Sequence, residues 1–109
     1  MKKIRAKAFP GEVIKSEKPV VAEFYADWSG TAFIISDLLE ELEEEYGKHV
    51  KFVLINIEKP GEIMTKYGIN KIPTILFFNK GKVINQLEGM PSRKKIKELL
   101  DEVTEQIKH

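Results

Sequence analysis

The 109-residue chain contains no cysteine. Disulfide bonds, thiolate metal ligands, thiol nucleophiles and dithiol redox chemistry are therefore outside its reach. Histidine is almost absent as well: His49 and His109 are far apart in sequence, so neither a metal site nor a bound cofactor is expected. Charge of one sign is also missing, since 18 Lys and Arg against 17 Asp and Glu leave a net +1. That balance offers no electrostatic grip on a nucleic-acid backbone or an anionic membrane, and neither is expected as a partner. Apolar runs such as Val53 to Ile55 and Thr74 to Phe78 are far too short to span a bilayer. Met1-Lys2-Lys3 leads into no signal-like hydrophobic stretch, so a cytoplasmic and monomeric protein is expected. No repeat, linker or low-complexity segment divides the chain, and its 12.5 kDa fit one domain over residues 1–109.

What is present is regular. Glycine and proline fall at element-length intervals: Pro10-Gly11, Pro19, Gly47, Pro60-Gly61, Gly68, Pro73, Gly81, Gly89 and Pro91. Val20 to Ala26 is rich in β-branched and aromatic residues with apolar groups at both parities, which predicts a central strand covered on both faces. From Ala32 to Tyr46, Ile35, Leu38, Leu39, Leu42 and Tyr46 recur at helical spacing. Asp37, Glu40, Glu41 and Glu44 fill the other face, so this is an amphipathic helix, and the Glu43-Glu44-Glu45 run reads as solvated surface.

Lys51 to Ile57 is predicted as a second buried strand, Gly61 to Tyr67 as a short helix, and Thr74 to Phe78 as a third strand, which gives two crossover connections. Asn79-Lys80-Gly81-Lys82 can only turn the chain into an antiparallel neighbour, Val83 to Glu88. Ile96, Leu99, Leu100, Val103 and Ile107 predict a last helix packed on the sheet. The architecture expected is an α/β fold with a mixed central sheet.

Phe24-Tyr25-Ala26-Asp27-Trp28, Lys66-Tyr67-Gly68-Ile69-Asn70-Lys71-Ile72-Pro73-Thr74, Gly81 and Gly89 occur in the order of the landmarks of one family. From Ile4 to Lys108 the chain resembles the thioredoxin family, which implies the thioredoxin fold, with helices on both sheet faces and a cis peptide bond before Pro73. Where that family has Trp-Cys-Gly-Pro-Cys, this chain has Trp28-Ser29-Gly30-Thr31-Ala32. Ser29 stands at the attacking thiol and Ala32 at the resolving one, so no catalytic pair is intact.

A serine alcohol cannot exchange with a disulfide. Ser29 is therefore expected to cap the helix, a role worth about 1 kcal/mol. A serine hydrolase would need a base beside Ser29, and His49 belongs at the opposite end of that helix. Glu23 interrupts the apolar central strand, and the resemblance puts it at the family's buried acid, with Leu54 in place of the usual lysine neighbour. Burial should raise its pKa.

The resemblance also implies a recognition surface that holds an extended segment, at Trp28, Gly30, Thr31, Ile72, Pro73, Gly89 and Met90. Phe33, on the helix's solvent side, would enlarge its apolar area. The function expected is redox-inactive binding of a protein or extended peptide. The alternative is a cysteine-substituted variant of a thioredoxin-type disulfide reductase acting in cell redox homeostasis, an enzyme that this chain as written cannot be.

Overall fold

A computed structural model describes residues 1–57 and 61–107, with side chains through residue 105. Its elements are β1 (Lys2–Ile4), a π-helical turn (Pro10–Ile14), β2 (Val20–Tyr25), α1 (Gly30–Tyr46), β3 (Lys51–Asn56), α2 (Glu62–Tyr67), β4 (Thr74–Asn79), β5 (Lys82–Glu88) and α3 (Arg93–Ile107). The five strands form one mixed sheet in the order β1-β3-β2-β4-β5. β2 lies at its centre, parallel to β3 and antiparallel to β4.

Alternation along the strands divides the core between two faces. Val21, Phe52, Ile75 and Phe77 face α1 and α3, where Ile35, Leu39, Leu42, Ile96, Leu99, Leu100 and Val103 close the layer. Val20, Ala22, Phe24, Val53, Ile55, Leu76 and Phe78 face the other way, under Phe9, Val13, Ile69 and the partly buried Ile63, Met64 and Tyr67 of α2. This is the α/β thioredoxin fold. The side chain of Ile107 and all of His109 lie outside the described residues.

The structure departs from the sequence expectation at one connection and adds elements at the start of the chain, where the sequence pattern predicts none. The link through α2 is not a parallel crossover, because β4 runs antiparallel to β2. The chain leaves β3 and re-enters β4 at the same end of the sheet, and the short α2 lies over the sheet face that carries Phe24, Ile55 and Phe78. The second difference is at the start of the chain, where β1 pairs in parallel with β3 and Phe9 and Val13 are buried. The β4–β5 turn does follow its sequence: Lys80 and Gly81 both have positive φ, as a two-residue hairpin requires.

Candidate functional site

The carboxyl end of β2 runs through a tight turn into α1, with the Ser29 amide donating to the Ala26 carbonyl at 3.0 Å. Asp27 and Trp28 are held outward by that turn, and Trp28 is 75% exposed. Ser29 is extended, and its Oγ accepts from the Ala32 amide at 3.2 Å, which makes it the N-cap. It is nearly buried, whereas His49 is exposed beyond the far end of α1. The 17 residues of α1 separate them by about 25 Å. His49, the one histidine among the described residues, therefore cannot reach the Ser29 hydroxyl. Ala32, one turn on, is fully buried.

Behind that turn lies Glu23, with 0% exposure. Its strand neighbours are Leu54 on β3 and Ile75 on β4, neither of which supplies a counter-charge. Ser36 Oγ lies 2.7 Å from Glu23 Oε1 and 2.9 Å from the Ala32 carbonyl oxygen. A hydroxyl has one hydrogen. Both contacts become full hydrogen bonds together when Glu23 is protonated: the acid donates to Ser36 Oγ, and Ser36 donates to Ala32. When Glu23 ionises, Ser36 turns its hydrogen to the carboxylate and gives up the Ala32 carbonyl. Burial pushes the Glu23 carboxyl up to about 7, and the Ser36 hydroxyl limits the rise. Glu23 Oε2 has no partner among the described residues.

Two loops stand beside the helix start. The Ile72–Pro73 peptide bond is cis, and the buried Thr74 hydroxyl donates to the Lys71 carbonyl at 2.6 Å, which ties that loop to β4. Gly89, at φ 73°, donates its amide to the Pro73 carbonyl at 3.0 Å, so the segment leading to Met90 lies against Pro73. Ile72 has no backbone hydrogen bond among the described residues. Pro73 is buried, Ile72 and Thr31 are half-buried, and Gly30 and Met90 are exposed.

Phe33 is half-exposed and packs its ring against Tyr25 at a centroid distance of 6.4 Å. Ile34, which the sequence reading passed over, is 56% exposed. It projects from the side of α1 that Glu41 occupies two turns later, and Glu41 binds Arg93 at 2.8 Å. Ile34 thus lies on the side of α1 that faces the start of α3, and Phe33 on the side of Tyr25. Ser36 was also passed over, although its place on the buried arc of α1 marks a polar residue that needs a partner.

The thioredoxin family model matches residues 1–102. The chain belongs to the thioredoxin family. It is 35% identical to the thioredoxin of Mycoplasmoides gallisepticum over 100 residues, 92% of this chain and 99% of that one. It is 34% identical to thioredoxin C-2 of Corynebacterium nephridii over 94 residues, 86% and 87% of the two chains. The thioredoxin of Griffithsia pacifica is 35% identical over 82 residues, 75% of each chain. In this thioredoxin-like chain the two positions that carry sulfur in the family motif hold a capping hydroxyl and a buried methyl group. No group of three or more His, Asp or Glu side chains among the described residues could hold a metal ion, and no described helix is long and apolar enough to cross a membrane. A hollow of about 970 Å³ lies between Phe9, Pro10, Ile14 and α2, and none of the positions discussed at the start of α1 lines it.

Proposed function

We propose that this thioredoxin-like chain binds an extended protein or peptide segment without redox chemistry. The observation that carries the reading is an exposed apolar surface around the start of α1. Of the five large hydrophobic side chains exposed among the described residues, four are Trp28, Phe33, Ile34 and Met90. Side chains of that size left in water around one helix end mark an interaction surface. Ile72, with its backbone unpaired among the described residues, supplies a donor and an acceptor for an extended chain.

Chemical-shift mapping with a bound peptide tests this. Trp28, Phe33, Ile72 and Met90 should shift together, and Phe33→Lys should weaken binding while leaving the fold intact. Shifts confined to α3 would refute the groove as the interface.

A second reading is a thioredoxin-type disulfide reductase with its cysteines replaced. It is favoured by the names of the relatives and by the buried Glu23 behind Ala32. Ser29→Cys with Ala32→Cys should then form an intramolecular disulfide and reduce insulin, since a cysteine at position 29 would lie at a helix N-terminus that favours thiolate. Failure to form that disulfide under mild oxidation would sink this reading. The unaltered chain should leave insulin reduction at the rate of dithiothreitol alone.

A further inference from the structure

α1 carries Asp37, Glu40, Glu41, Glu43, Glu44 and Glu45. Three of these acids are engaged: Glu41 with Arg93 at 2.8 Å, Glu43 with the N-terminal amine at 2.6 Å, and Glu45 with Lys97 at 2.8 Å. Asp37, Glu40 and Glu44 are exposed and have no ion-pair partner among the described residues. They follow Phe33 at i+4, i+7 and i+11, so the unpaired acids and the half-exposed ring share one helix face. Asp37 with Glu40 and Glu40 with Glu44 are like-charge neighbours at spacings that weaken a helix. Glu44 also lies in the last turn, where the helix dipole disfavours an anion. Cations brought by a partner would relieve all of these repulsions.

We propose that the bound segment pairs apolar residues with a run of Lys or Arg on one side. Its apolar side chains seat on Phe33 and Ile34, and its basic side chains lie along Asp37, Glu40 and Glu44. This deepens the groove reading and rests on it. The interval from Phe33 to Glu44 covers about 16 Å of helix, a length that about five extended residues span, so the basic run belongs close to the apolar anchor. Lys71 in the loop before Pro73 and Lys94 in the first turn of α3 are exposed and oppose a basic run on their side. The net charge of +1 means that the attraction is local to this helix face.

Trp28 is the only tryptophan, and its emission reports binding. Three synthetic octapeptides serve as probes: a Leu-Val-Phe core followed by lysines, the same core followed by glutamates, and a serine core followed by lysines. At low salt the lysine probe with the apolar core should bind about tenfold more tightly than its glutamate counterpart. Near 0.5 M salt the gap should close to about twofold. Asp37→Lys, Glu40→Lys and Glu44→Lys together should reverse the preference while circular dichroism shows an unchanged fold. A triple variant that unfolds leaves the salt dependence of the unaltered chain to decide. Equal binding of the lysine and glutamate probes, or an unchanged preference in the folded triple variant, would overturn the charge inference and leave the groove standing. Binding of the serine-core probe as tight as that of the apolar one would overturn the shared surface. Absence of binding by every probe to about millimolar concentration would overturn the groove reading itself.

Discussion

The buried Glu23 carboxyl makes stability depend on pH in a direction opposite to that of most paired carboxylates. In the unfolded chain the group titrates near 4.5, and in the fold its pKa is pushed up to about 7. Between these values the unfolded state binds fewer protons than the folded one, so stability falls as pH rises. Below about 4.5 both states are protonated and the group costs nothing by ionisation; above about 7 the full penalty of about 3 kcal/mol is present.

Glu23→Gln removes the titration. The amide can donate to Ser36 Oγ as the protonated acid does, but it leaves an extra buried N–H unpaired, a pH-independent cost of about 1–3 kcal/mol. The variant should be less stable than the parent near pH 4 and should close or reverse that gap near pH 8. Urea unfolding of both proteins across this range isolates Glu23, because other titrations largely cancel in the difference. Carbon NMR of the Glu23 carboxyl should give a midpoint near 7. A stability difference flat within about 0.5 kcal/mol from pH 4 to 8 would refute the reasoning, for it would mean that Glu23 ionises as freely in the fold as in water.

Leu54→Lys places an amine on the strand beside Glu23, and the Glu23 midpoint should fall as the charged form gains a partner; an unchanged midpoint would show that position 54 does not address the carboxyl. Ser29→Ala removes the cap on the Ala32 amide and should cost about 1 kcal/mol in denaturant unfolding, with no change in the pH profile. Glu12, lowered to about 2 by its hydrogen bonds to Lys2 and Lys51, should behave in the sense opposite to Glu23. Its stabilising effect should be complete above about 4.5 and disappear as pH falls through about 2, so Glu12→Gln should flatten that part of the acid limb.

Local chemistry in the sequence settled a good part of the architecture. The 3.6-residue spacing of Ile35, Leu39 and Leu42 determines which face of α1 is buried, and Ser29 before Gly30 marks its start. Lys80-Gly81 specifies the hairpin turn because two consecutive positive φ values are required there. The absence of cysteine excludes dithiol exchange by this chain with no coordinates at all. Each of these is settled within one turn or one element.

Tertiary contact decided the rest. β1 is three residues long and has no periodicity to read; it exists because β3 offers it a hydrogen-bonding edge. Phe9 and Val13 are buried because the second sheet face needs a cover, which local propensity does not encode. The direction of β4 is fixed by its antiparallel pairing with β2 and β5, which nothing in its own apolar run Thr74 to Phe78 encodes. The protonation of Glu23 depends on Leu54, Ile75 and Ser36, which come from three separate elements. No linear pattern brings those groups together, since desolvation and hydrogen-bond geometry exist only after the sheet and α1 have packed.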